Sequence, residues 1–319
     1  NTQIENNIVF LSIDSSRDIF NNKYPYINKF QKLDMISRVK NSGYKINKKN
    51  DITQMRKKML QIYLDSIENF TDIEKNSITV LINILIKKVE IFNKNNDIQL
   101  PIIKNWSFIK KGNTDWEYIF TTDKSIILSK SVIQDIVTHV KWYTYTKNLD
   151  NIDNIIKTLY HEQWHIFQRL HQKVFDKFYK KFWNFVKVKL TEKTKNIIKK
   201  RAIINPDGDN FNWIYKLNEK SYILPFLGID NDYEHHHYFL KLEKKFMQNK
   251  TYKIILNKFY NLDNNTKYSD RFYNMGQIYH PNEIFANLLP LILSKTITLQ
   301  NGDKKNIKNF LKNNWNVFT

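Results

Sequence analysis

The residues best suited to chemistry lie in one short run, Thr158-Leu159-Tyr160-His161-Glu162-Gln163-Trp164-His165-Ile166-Phe167. Two histidines stand four residues apart, with a glutamate directly after the first. On a helix, residues four apart differ by about 40° in direction, so His161 and His165 project from one face, one turn apart. Two imidazole nitrogens so placed can bind one zinc ion at about 2.0–2.1 Å each. The Glu162 carboxylate can reach a water on that metal without being a ligand, and so act as general base. The chain has eight histidines and no cysteine, so any metal must be held by His, Asp or Glu. The expectation is one Zn2+ per chain, with His161 and His165 as ligands.

A catalytic zinc site needs a third protein ligand and keeps its fourth position for water. His171 completes the spacing HExxHxxxxxH, as in the metzincins. Those enzymes have Gly where this chain has Gln168, and in an unbroken helix His171 lies about 240° round from His165. The other candidate is Glu283 in His280-Pro281-Asn282-Glu283-Ile284-Phe285-Ala286-Asn287. This segment resembles the second motif of the gluzincin metallopeptidases, Asn-Glu-x-x-Ala/Ser-Asp. The resemblance implies that Glu283 is the third ligand and that Ala286 allows two helices to pack closely. Asn287 stands where the family usually has an Asp that orients a ligand histidine. The local wording of both motifs is also similar to metallopeptidase-like proteins of large DNA viruses. The likeness rests on about ten residues around His161 and eight around Glu283, with 117 residues between His165 and Glu283.

The gluzincin resemblance implies hydrolysis of peptide bonds in a polypeptide substrate, with zinc activating a water and Glu162 taking its proton. It also implies a zincin fold, in which an edge strand lies above the active-site helix. The segment from Thr121 to Ile133 is expected to supply that strand, where a substrate backbone could pair. The developing oxyanion needs a hydrogen-bond donor besides the metal. No Tyr, His or Arg follows Glu283, so the donor must lie between the motifs. Tyr273 and Tyr279 are the leading candidates, because lethal-factor-type gluzincins have a Tyr shortly before the ligand Glu. Arg271 and His280 are further ones. Glu234 is followed by His235, His236 and His237. On a strand His235 and His237 share a face, where they could form a second metal site, supply a catalytic imidazole, or make a solvent-facing polar patch.

The elements that position these groups can be read from periodicity and breaks. Residues 24–70 read as two or three helices, broken at Asn41-Ser42-Gly43 and by a polar linker from Asn47 to Asp51. Thr71 and Glu74 form a capping-box pattern ahead of a helix with Ile78, Leu81, Ile82, Leu85, Val89 and Phe92 on its apolar face. Short strands are expected at Trp106–Ile109, Glu117–Thr121 and Ser125–Leu128, then a helix from Ser131 to Tyr145. Asp153 or Asn151 can cap a long helix starting near Ile155. Its apolar periodicity runs on through Phe185, with room for a bend. Phe175, Tyr179, Phe182 and Trp183 read as core. Two or three strands should fall between Trp213 and Leu242, and two helices near Pro281–Ser294 and Lys304–Asn314. The fold class is therefore α+β, mainly helical, with a small mixed or antiparallel sheet over the active-site helix. An N-terminal helical region (1–100) would precede a metallopeptidase-like domain (101–319).

Composition narrows the classes further. A chain of 319 residues, 41% hydrophobic and 26% charged, can bury a sizeable core. The net charge is +20, but 45 of the 51 basic residues are Lys, 41 residues are Asn and only two are Ala. That is the residue set of an AT-rich genome, and the lysines are scattered in pairs. A solvated basic surface is favoured over a dedicated nucleic-acid site. No apolar run is long enough to span a bilayer. The first twenty residues do not read as a signal peptide, and the sequence leaves the compartment open, with cytoplasmic and virion-associated as the two readings. The alternative to a peptidase is a catalytically silent zincin serving as a structural or virion component.

Overall fold

The structure is a computed structural model. It describes all residues except 1–6, 24, 41, 48, 116–118, 206, 208–210, 231–233, 245–251, 255–257, 273–274, 298, 300 and 319. In chain order the elements are β1 (Asn7–Phe10), α1 (Ile13–Lys23), α2 (Lys32–Val39), α3 (Ile52–Asp65), β2 (Ile67–Glu68), α4 (Asp72–Asn95), β3 (Asn105–Lys111), β4 (Phe120–Thr122), β5 (Ser125–Ser129), α5 (Lys130–Thr146), α6 (Asp150–Leu170), α7 (Gln172–Phe182), β6 (Phe185–Lys187), α8 (Glu192–Ile198), β7 (Trp213–Lys216), β8 (Ser221–Ile229), β9 (His235–Lys244), β10 (Tyr252–Ile254), β11 (Tyr260–Asn261), α9 (Thr266–Ser269), α10 (Pro281–Leu293), α11 (Asn301–Asn313) and α12 (Trp315–Phe318). The class is α+β, mainly helical, with two small sheets.

The first sheet is mixed, in the order β1-β3-β5-β4. Strands β1, β3 and β5 are parallel, while β4 runs antiparallel to β5 and forms the edge. Strand β2 pairs with the far end of β3. Among the described residues the edge is thus Phe120–Thr122, and part of the expected Glu117–Thr121 strand lies outside them. Ser125–Ser129 lies inside the sheet, and the chain turns helical at Lys130. A boundary at residue 100 does not separate two units, because β1 and β2 belong to the same sheet as β3. The second sheet is antiparallel, in the order β10-β9-β8-β7-β6, with β11 also on β9. The histidine run starts β9, which pairs with β8 from His235↔Ile229 onward.

Helix α4 is set by its ends and its face. The Thr71 hydroxyl accepts from the Glu74 amide (3.4 Å), and the Thr71 amide donates to the Glu74 carboxylate (2.8 Å). The apolar face from Ile78 to Phe92 is buried. Helix α6 begins earlier than its periodicity suggests, with Leu149 at the cap. Asp153 does not cap it. Its carboxylate instead binds Lys88 and, at 2.8 Å, Lys157. The long helix is also interrupted. His171 leaves helical geometry (φ −123°, ψ 36°), α7 follows, and α7 stops at Phe182. Asn184 then adopts a left-handed φ of 56°, a conformation Asn tolerates. Phe185 therefore enters β6 and pairs with Tyr215 rather than extending the helix.

Helix α6 packs along α10, and Ala286 is fully buried on the α10 side. Phe175, Tyr179 and Trp183 are buried too, clustered with Phe285. Each such aromatic removes a large apolar area from water. The α6–α10 pair is therefore clamped by an aromatic core on one side and lies near β4 and β5 on the other. No helix among the described residues is long and apolar enough to cross a membrane.

Candidate metal centre

His161 and His165 face the same way from α6, and Glu283 comes from the first turn of α10. Pro281 opens that turn, and the His280 Nδ1 caps it by accepting from the Asn282 amide at 3.1 Å. The Nε2 atoms of His161 and His165 are 2.8 Å apart, and each is 3.4 Å from Glu283 Oε2. A triangle with these edges has a circumradius of about 1.9 Å, less than the ~2.0–2.1 Å bonds of zinc to nitrogen and oxygen. One ion can therefore stand at bonding distance from all three atoms. All three residues are buried, and this group could hold a metal ion. His171 is not part of it.

Charge supports the same conclusion. Three buried carboxylates, Glu162, Asp207 and Glu283, converge on the two imidazoles. A nearby cation, Arg169, is bonded to Asp207 at 2.9 Å. Burial raises the Glu162 carboxyl well above the usual range, and Asp207 adds to this. Burial pushes the His165 imidazole down, but Glu283 and Asp207 outweigh it and raise it to about 10. His161 is lowered by burial and by His165. Burial alone would raise Glu283, yet His165 and His161 hold it far below an ordinary carboxyl. Such a cluster attracts a proton or a cation. Its N,N,O donor set suits a divalent ion of the zinc kind.

The residues around these donors were not legible as such in the sequence. Gln168 Oε1 lies 2.8 Å from His165 Nδ1, and its amide donates to the Asn282 carbonyl at 2.8 Å and the Tyr179 hydroxyl at 3.1 Å. One side chain thereby fixes the His165 imidazole and ties α6 to α10. Asn205 Nδ2 donates to Glu283 Oε1 at 2.7 Å and to the Tyr279 hydroxyl. Asn287 does not orient His161. Its Nδ2 and the His161 Nδ1 are both buried without a hydrogen-bond partner.

His161, His165, Glu283, Asn205 and Asn287 line a cleft of about 490 Å3. Glu162 is on its wall beside both histidines, and its Oε2 has no hydrogen-bond partner. Tyr279 also lines it, with its hydroxyl donating to Gln277 Oε1 at 3.1 Å. His235 and His237 enter from β9, while His236 points away and meets Asp230 at 2.9 Å. The His237 ring is 5.4 Å from that of Tyr279, and burial lowers its proton affinity. The His235–His237 face is thus a cleft wall rather than a solvent patch. Among the described residues these two join no metal-binding group. Arg271 is engaged by Asp303 (2.5 and 2.7 Å), and neither it nor His280 lines the cleft. Tyr273 lies outside the described residues.

The edge strand is already partly occupied. The Thr121 amide donates to Asp207 Oδ2 at 3.5 Å, and the Thr121 carbonyl accepts from Arg169 at 3.3 Å. The Thr121 hydroxyl binds both side chains as well. At that residue β4 is not an open template for an added strand, contrary to the expectation from the sequence. Comparison with protein-family models, with curated proteins and with solved structures finds no match for this chain.

Proposed function

We propose that this chain is a zinc-dependent peptidase of the gluzincin kind, with His161, His165 and Glu283 as metal ligands and Glu162 as general base. The convergence of the three donor atoms beside Glu162, in an open cleft, carries the reading. The mixed sheet, its antiparallel edge β4 and the neighbouring α6 support a zincin-like core. A zinc ion held by the three donors supplies Lewis-acid activation of a water and of a substrate carbonyl.

The chain's own groups account for the rest. Glu162 has an unpartnered Oε2 and a raised proton affinity, which suit a group that accepts a proton and later returns it to a leaving amine. Gln168 fixes the His165 ring, and Asn205 fixes Glu283. Tyr279 and His237 are hydrogen-bond donors that line the cleft, and Tyr279 keeps its proton because burial and then Glu283 hold its hydroxyl well above the usual range. The substrate is a polypeptide that fits the cleft between β4 and the β9 face.

The engaged edge at Thr121 favours a second reading, a zincin that binds metal without turning over. Glu162→Gln separates the two, since it removes the proton acceptor and leaves all three ligands. Zinc-loaded wild type should cleave members of a broad peptide library, and cleavage should fall by about 10² to 10⁴ in the variant. Equal cleavage by both proteins would refute the general base. No cleavage by the zinc-loaded wild type would leave the silent scaffold.

A further inference from the structure

Asn205 positions Glu283, and its own position is set from the other end of the chain. The Asp34 and Arg38 side chains on α2 meet at 2.8 Å, buried 0% and 5% exposed. Together they grip one peptide unit on each side of Ile204. The Ile204 amide donates to Asp34 Oδ2 at 3.2 Å, and Arg38 Nη2 donates to the Ile204 carbonyl at 2.6 Å. The guanidinium lies over the Phe30 ring at 4.3 Å. Both polar groups of Ile204 are thus held by a rigid, charged fork. The next residue is Asn205, whose amide holds Glu283 Oε1 and leaves Oε2 facing the two imidazoles.

We propose that the Asp34–Arg38 pair is a positioning device for the metal centre, acting through Ile204 and Asn205 on Glu283. The proposal rests on the zinc-site reading given above. It makes the N-terminal helices a working part of the centre. A carboxylate held in its liganding orientation before the metal arrives loses less freedom on binding, so affinity rises without any new bond to the metal. Removal of a partner that orients a ligand typically costs about 10- to 100-fold in metal affinity.

A buried ion pair could instead serve only to hold α2 in place, and a double-mutant cycle distinguishes the two roles. Zinc affinity is measured by competition with a chromophoric chelator for the wild type, D34N/R38Q, N205A and the combined triple variant. Visible spectra of the cobalt-loaded proteins report the coordination. D34N/R38Q should weaken zinc binding by about tenfold or more. In the N205A background the same pair of changes should alter affinity by less than about twofold, because the relay is already cut. The cobalt spectrum of D34N/R38Q should move toward that of N205A. Circular dichroism checks the fold. If the double variant does not fold, R38K replaces it in the cycle, keeping the charge beside Asp34 while losing the fork to Ile204. Wild-type zinc uptake with fully additive losses, or an unchanged cobalt spectrum, would overturn the clamp alone. Failure of the wild type to take up zinc would overturn the metal centre, and the clamp with it.

Discussion

Replacing Glu283 by Gln tests the centre at the ligand farthest in sequence from the other two. The change keeps length and shape, and the new carbonyl oxygen can still accept from Asn205. It removes the negative charge whose Oε2 lies 3.4 Å from both imidazole nitrogens in a site only 1% exposed. Apparent zinc-binding energies of about 10–16 kcal/mol, shared over three protein ligands, put about 3–5 kcal/mol on each. At about 1.4 kcal/mol per tenfold, that is a loss of about 10²- to 10⁴-fold in affinity. The loss should appear in stability as well. Free zinc at about 1,000 times the wild-type Kd should stabilise the wild type by about 4 kcal/mol, and the variant by about 1.4 kcal/mol or less. Chemical denaturation at fixed free zinc, with and without a chelator, measures both. His171→Ala is the matched control and should behave as wild type, since His171 stands outside the donor group. A zinc affinity for E283Q within about threefold of wild type would refute the three-donor argument.

Two further outcomes follow from the same structure. Gln168→Ala should weaken zinc binding by about 10- to 100-fold, since His165 loses the partner that fixes its ring, and equal chelator competition curves for variant and wild type would count against that role. Asp115 is buried against Lys111 (2.5 Å) and Tyr63 (2.7 Å). Burial would raise its carboxyl, but Lys111 and Arg38 lower it below the usual carboxylate range. A depressed folded-state pKa gives stability that is present above the unfolded value and lost as pH falls through the folded one. D115N should therefore cost about 3–5 kcal/mol near neutral pH by stranding Lys111. The gap to wild type should narrow below about pH 4, and a gap constant across denaturation curves from acid to neutral pH would contradict the assignment.

Some features were legible because local rules govern them. The Thr71–Glu74 cap is a four-residue device, and the apolar face from Ile78 to Phe92 repeats with the helix. Both stand in the structure as the spacing predicts. The end of α7 was not legible in the same way. Apolar periodicity runs through Phe182 to Phe185, but Asn184 turns the chain and Phe185 gains a strand partner in Tyr215. Periodicity carries no information about that partner. The interior place of β5 depends likewise on its pairing with β3 as well as β4, and the engaged edge at Thr121 on residues far away in sequence, Asp207 and Arg169.

The sequence by itself determined the His161–Glu162–His165 constellation. Four-residue spacing on one helix brings two imidazoles together through backbone geometry alone, whatever packs around it. Only the tertiary structure decided that Glu283 rather than His171 meets them, because α10 must lie against α6 to bring its first turn within 3.4 Å. It alone decided that Gln168 and Asn205 orient those donors, that the His237 ring stands beside that of Tyr279 in the cleft, and that Asp34 and Arg38 reach the site through Ile204. Hydrogen bonds between residues up to 170 positions apart depend on how helices and sheets stack, and no spacing along the chain records that.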